Sequence, residues 1–197
     1  MILFMAVFIL LACAGCTSPA PMSLVPAPSP VPTPGHSTVS PAEMALQPAD
    51  LPGNFTLLEE GERNASQMRN WAIDHGWKRG YITHYGKNEG NVSEGAVLEQ
   101  VISVYDADNI ILVVADTVNT WKSWPAEDSN VTVEEIPLQT IGDFSRAMKT
   151  SDRSDNSQMY MIAFVKYDVY EQLMINGTET DFETLRQMAS TAAAKIR

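Results

Sequence analysis

Three histidines, two cysteines and four tryptophans are the side chains best suited to catalysis, metal binding or ligand stacking in this 197-residue chain. His36 stands among prolines, His75 near the end of a helical run, and His84 between Tyr81 and Tyr85. Two separated histidines do not make a zinc set or a general-base arrangement by themselves. H-E-x-x-H, G-x-S-x-G, Walker A and G-x-G-x-x-G patterns do not occur. Asp106, Asp108 and Asn109 open like a calcium loop, but Ile111 stands where that loop needs glycine, so they read as a helix cap. Glu134 and Glu135 are neighbours and would face opposite sides of a strand, which makes a poor carboxylate pair. The chain is therefore expected not to be an enzyme and to carry no metal and no cofactor. An uncharacterised hydrolase is the third reading, because a Ser-His-Asp triad is assembled in space rather than along the chain. Trp71 and Trp121 fall on helical faces and read as core. Trp77 follows Gly76 and Trp124 precedes Pro125. Aromatic rings at such turns can stack on a sugar or anchor a partner, so these two are the candidate contacts.

The amino-terminal residues 1–15 carry no charged side chain and are nearly all apolar. That length is short for a membrane span, which takes about 20 residues. The run ends in Leu10-Leu11-Ala12-Cys13-Ala14-Gly15-Cys16. This resembles the lipobox of exported lipoproteins, in which small residues precede the cysteine that becomes lipidated. The resemblance implies a signal peptide over 1–16, a lipid on Cys16, and a place on the outer side of the cell membrane. Cys13 occupies the position where a larger aliphatic residue is usual, and no Lys or Arg precedes the apolar run. With Cys13 removed and Cys16 consumed, no free thiol remains for catalysis or disulfides.

Residues 17–41 hold eight of the twelve prolines, with Ser, Thr, Ala and Val between them. Proline fixes φ and removes a donor, so neither helix nor sheet is expected. Such a linker is an extended spacer reaching about 70 Å. The remaining residues, 42–197, contain all the Asp, Glu, Lys and Arg and suffice for one core. The formal charge is −11, which excludes a nucleic-acid partner, since that needs a basic face.

Within this domain, strands are expected over 55–60, 81–85, 97–105, 131–136, 144–149 and 159–168. The segment 169–175 either continues the last strand or pairs tightly with it. Residues 159–165 are apolar on both faces, which requires a central strand covered on each side. A helix is expected over 65–75, capped by Asn64 with Gln67 at its third position and ended by Gly76. Residues 110–121 read as helix or buried strand, because the segment's core is β-branched, and its length favours helix. The third begins at Thr180-Asp181-Phe182-Glu183 as a capping box, with Leu185, Met188, Ala189, Ala192 and Ile196 as its inner stripe. The fold class is α+β, an antiparallel sheet of about six strands with helices packed on its faces. The element order, together with Ile141-Gly142-Asp143 before a strand, resembles the PsbP/Mog1-like α/β/α sandwich of small exported lipoproteins. That resemblance brings no catalytic motif.

Five N-x-[Ser/Thr] sequons, at Asn54, Asn64, Asn91, Asn130 and Asn176, are candidate glycosylation sites. Asn64 is the weakest because it also caps a helix. Sequons beside a lipobox resemble an archaeal surface lipoprotein. The leading expectation is a noncatalytic, membrane-anchored envelope module that meets an unknown envelope protein. The alternative is a surface protein that binds a small molecule or glycan.

Overall fold

In a computed structural model, the structure describes residues 35–53, 55–87, 95–106, 108, 110–124, 130–177 and 181–197. The signal segment with Cys16, nearly all of the linker, and Asn54 and Asn91 lie outside the described residues.

One antiparallel sheet of seven strands forms the body. In chain order the strands are β1 (Phe55–Arg63), β2 (Arg79–Lys87), β3 (Val97–Val104), β4 (Val131–Ile136), β5 (Phe144–Asp152), β6 (Ser157–Lys166) and β7 (Val169–Gly177). Across the sheet they run β1-β2-β3-β7-β6-β5-β4. The count exceeds the expected six because β6 and β7 are a tight pair rather than one bent strand. Their turn puts Tyr167 at φ 58°. Asp143 accepts the Tyr167 amide at 2.8 Å and sends its own amide to the Val165 carbonyl at 2.8 Å. The Ile141-Gly142-Asp143 segment thus clasps the turn that sequence periodicity left undecided.

Helices cover both faces. On one, α4 (Phe182–Lys195) lies over β6 and β7, and the single turn α1 (Pro41–Met44) lies over β2 and β3. On the other, α3 (Ile110–Ser123) lies over β5, β6 and β7. The alternation in β6 is divided as expected: Ile162 and Phe164 enter the core under α4, and Met161, Ala163 and Val165 the core under α3. The inner stripe of α4 is fully buried, Ile196 included. Its cap is displaced by one residue from the expected box. Asp181 is the N-cap and accepts the amides of Glu183 and Thr184, and the Glu183 carboxylate turns to Arg186; Thr180 lies outside the described residues. A carboxylate at this position satisfies two free amides and faces the positive helix end.

The helix expected over 65–75 is broken. Asn64 and Gln67 do form a capping box, but around a 3-10 turn at Ala65–Gln67. The α-helix α2 (Asn70–Asp74) starts afresh after Arg69. Gly76 ends it at φ 81°, with its carbonyl taken by the Asp106 amide. Asp106 also pairs with Lys78 at 2.5 Å, which fits a structural rather than a calcium-binding role; Ala107 and Asn109 lie outside the described residues.

Residues 36–41, expected to be linker, are tied to the body. His36 Nδ1 and the Ser37 amide meet the Asp168 carboxylate at 3.1 and 2.7 Å, and the Thr38 amide donates to the Arg197 carbonyl at 3.0 Å. Farther on, the Leu46 amide donates to Gln100 Oε1 at 2.9 Å, and the Tyr85 hydroxyl donates to the Leu46 carbonyl. Gln100 also accepts from Thr83 and donates to Glu171. All of Thr83, Gln100 and Glu171 are fully buried. One amide thus serves as junction between the amino-terminal strap, β2, β3 and β7.

Burial pushes the Glu171 carboxyl up to about 8, against smaller opposing effects of the Gln100 hydrogen bond and the Lys195 charge. Lys195 is itself paired with Asp50 of the strap at 2.6 Å. An unfolded Glu ionises near pH 4.5, whereas the folded one stays neutral up to about pH 8. The folded state therefore holds one more proton across that window, and stability falls as pH rises through it. Glu171→Gln is expected to remove this slope and to exceed the wild type in stability at pH 8 by a few kcal/mol, about 1.4 for each unit of the shift. Urea unfolding at pH 5 and pH 8 checks it; parallel losses in both proteins would refute the assignment.

Gly142 has φ 65°, and a Cβ there would lie 2.4 Å from the Val165 carbonyl oxygen. Gly142→Ala is expected to cost at least ~2 kcal/mol, from left-handed backbone and the clash together. Thermal unfolding should show the loss, whereas Gly61→Ala, whose Cβ would meet nothing within 4 Å, should lose much less.

Candidate functional site

A cavity of about 380 Å³ opens between α2, α3 and the sheet. Its size falls in the range of small-ligand sites. The sheet supplies its floor. Val101 and Ser103 of β3 alternate onto this face, as do Tyr170 and Gln172 of β7, and Tyr105 follows directly after β3. One wall is α3, where Val113, Asp116, Thr117, Thr120 and Trp121 recur at helical spacing. The opposite wall is the broken helical segment: Arg63 at the end of β1, Gln67 and Met68 in the 3-10 region, and Arg69, Trp71 and Ala72 at the start of α2. The break at Met68–Arg69 lets Arg69, as cap, and Trp71, one turn in, both reach the same space.

The aromatic residues are fixed by one another. Tyr105 and Tyr170 meet edge to face with centroids 6.4 Å apart. Trp71 stacks on His75 at 4.2 Å, and Trp121 meets Trp124 edge-on at 5.6 Å. The Tyr170 hydroxyl lies 3.0 Å from Thr117 Oγ1 and donates to Gln172 Oε1 at 2.9 Å. Tyr105 is only 3% exposed, yet its hydroxyl has no hydrogen-bond partner among the described residues. The ring is buried while the hydroxyl faces the cavity, where it is free to meet a ligand. Burial pushes the Tyr105 phenol up to about 12 and the Tyr170 phenol higher still. Both stay protonated at any physiological pH; the Tyr170 proton is given to Gln172, and the Tyr105 proton is free for a ligand. Arg63 pulls both phenols down and Asp116 pushes both up, so these two charges act on the same pair of hydroxyls.

The tryptophans that the sequence singled out do not line this cavity. Trp77 is 7% exposed and donates its indole N–H to Ser103 at 3.2 Å, so its ring closes the core beside β3. Trp124 is 60% exposed, as expected for a turn, and backs Trp121 from outside. Trp71 and Trp121, read as core, do belong to the core under α3, Trp121 at 8% exposure, and they also line the cavity. The missed signal was the cluster Arg63-x-x-x-Gln67-Met68-Arg69-x-Trp71, which is polar and aromatic where a simple amphipathic helix would repeat apolar residues.

His84 lies on β2 between two carboxylates, 3.0 Å from Glu99 and 3.6 Å from the exposed Glu59. It is a cross-strand pair on the sheet face and does not line the 380 Å³ cavity. His75 Nδ1 lies 2.9 Å from the Trp71 carbonyl. Glu135 pairs with Lys122 and Arg146, and Glu134 is exposed. Among the described residues, no three His, Cys, Asp or Glu side chains are grouped to hold a metal ion.

Of the sequons, Asn130 is exposed just before β4, and Asn176 is exposed on β7, paired there with Met159 and Val97. The Asn64 carboxamide oxygen is engaged by the Ser66 amide and hydroxyl.

No protein-family model matches the chain. No curated protein matches it either. Among solved structures, it is similar to the extracellular domain of PknH from Mycobacterium tuberculosis. The TM-score is 0.62 at 10% identity, over 82% of this chain and 98% of that one. At that identity the likeness shows the fold alone. It supports the layered α+β body and does not extend to a PsbP or Mog1 relationship.

Proposed function

We propose that this chain is a noncatalytic, ligand-binding module held on the outer side of a cell membrane. The observation that carries the binding role is the aromatic-walled cavity between α2 and α3, with the unpaired Tyr105 hydroxyl inside it. Its volume suits a small molecule or a short glycan better than a flat protein contact. The cavity holds no histidine and no thiol, and its one carboxylate, Asp116, stands opposite arginines rather than beside a nucleophile and base. Binding and orientation are what such walls do.

The outer location rests on the apolar leader, the lipobox-like Cys16 and the proline-rich spacer, and the match to an extracellular domain agrees with it. Cys16 carries the lipid, and residues 17–35 form the tether. Asn54, Asn91, Asn130 and Asn176 are the sequon asparagines proposed to carry glycan, of which Asn130 and Asn176 are exposed, Asn64 being engaged as a cap.

Two measurements test this reading. Thr120 is an exposed residue of α3 that lines the cavity, so Thr120→Trp should fill it without disturbing the core. In a thermal-shift screen of the full-length protein against neutral, cationic and anionic small molecules, binders should raise the wild-type Tm and leave Thr120→Trp unmoved. Absence of any binder, or binders that persist in the variant, would refute the cavity as the site. For the anchor, Cys16→Ser expressed in the native host should leave the membrane fraction and lose the mass of a lipid. A variant that stays with membranes would remove Cys16 from that role.

A further inference from the structure

The class of ligand follows from the charges in the cavity, and it rests on the binding role proposed above. The chain carries 24 acidic against 13 basic residues, so guanidinium groups have abundant partners to find. Lys78, Lys122, Arg146, Arg186 and Lys195 each hold a carboxylate. Arg63 and Arg69, like the exposed Arg79 and Arg153, do not: neither guanidinium has an ion pair or hydrogen bond among the described residues, and what sets these two apart is that both line the same 380 Å³ cavity. Arg63 is half-buried, which raises the cost of leaving it unpaired. Asp116 of α3 and Tyr105, whose hydroxyl has no partner among the described residues, line the same cavity. Trp71 and Trp121 add ring surfaces to the same space.

We propose that the cavity between α2 and α3 binds a small anionic polyol, a sugar ring bearing a carboxylate or phosphate, with its anion on Arg63 and Arg69. The arginine fork matches both oxyanions, because each presents two oxygens at the spacing of the guanidinium N–H groups. The Tyr105 hydroxyl donates to a ring or hydroxyl oxygen. Asp116, an acceptor only, takes hydrogen bonds from ligand hydroxyls and disfavours a second anionic group at that end. The apolar face of the ring lies against Trp71 or Trp121. A neutral sugar would leave both guanidiniums unpaired, and a cation would be repelled by them.

The test uses the full-length protein in neutral detergent, with binding followed by calorimetry and by tryptophan fluorescence. The probes are glucuronate, glucose 1-phosphate and glucose. At least one anionic probe is expected to bind tenfold or more tightly than glucose. Arg63→Gln and Arg69→Gln should each weaken that probe by about tenfold or more, as loss of a charge-assisted hydrogen bond does. Arg153→Gln, in the exposed turn between β5 and β6, should change nothing. Neither cavity arginine has a side-chain partner to lose, so both variants should keep the wild-type Tm. The comparison of glucuronate with glucose 1-phosphate separates a carboxylate ligand from a phosphate one. Equal binding of glucose, retention of anion binding by both arginine variants, or no binding of any probe would overturn the proposal. In the last case, neutral or cationic binders that vanish in Thr120→Trp would leave the broader binding role standing.

Discussion

The constraint on which this molecule depends is that its central strands are apolar on both faces. β6 and the adjoining β7 cannot meet water on either side, so a helix must lie on each. Seven strands at about 4.8 Å spacing make a sheet nearly 30 Å wide, whereas a helix is about 10 Å across. One helix per face cannot cover such a sheet. On one face the deficit is filled by α1 and the amino-terminal strap beside α4. On the other, α3 covers β5 to β7, and only the short α2 segment faces it across β3. The cavity is the space left between them. It exists because the helical segment after β1 breaks at Met68–Arg69 instead of lying down along the sheet.

The strap is held by polar chemistry where the rest of that face is held by apolar contact. Gln100 satisfies the Leu46 amide, Thr83 and Glu171 together, and Tyr85 takes the Leu46 carbonyl. Buried groups of this kind add register to a surface that apolar packing alone would allow to slide. The cost falls on Glu171, which stays protonated and leaves Oε2 without a partner. The same strap returns the amino-terminal part of the body to the carboxyl terminus through Thr38 and Arg197. Its path begins at the side of the β6–β7 turn, where Asp168 receives His36 and Ser37.

Charge is distributed in keeping with this division. Several cations are paired with carboxylates at the surface, as with Glu135 between Lys122 and Arg146. The cavity brings together two guanidiniums without partners, a hydroxyl without a partner, and four aromatic rings. In an acidic molecule, a small positive region recessed between aromatic walls focuses its field inward, because low-dielectric walls confine it. The surrounding acidic surface then repels large polyanions from the approach to the recess.

Alternation and helical spacing were enough to place six strands, the two long helices and the inner stripe of α4, because those patterns express burial directly. The same local signals identified the Asn64 box and the Gly76 helix end. They also described a leader, a lipobox-like Cys16 and a proline-rich spacer, all features of composition that need no tertiary partner. What they could not decide was anything that depends on two distant segments meeting. The β6–β7 turn has no glycine at Tyr167; it is held by Asp143, 24 residues earlier. The helix cap moved from Thr180 to Asp181, and residues 36–41 joined the body through Asp168 and Arg197. Turn position suggested Trp77 and Trp124 as contacts, but exposure is set by what lies opposite. Ser103 drew Trp77 inward, while the gap between α2 and α3 left Trp71 and Trp121, packed in the core, with part of their rings on the cavity. A sequence fixes which side chains share a face; only the packing of one element on another decides whether that face meets core, cavity or water.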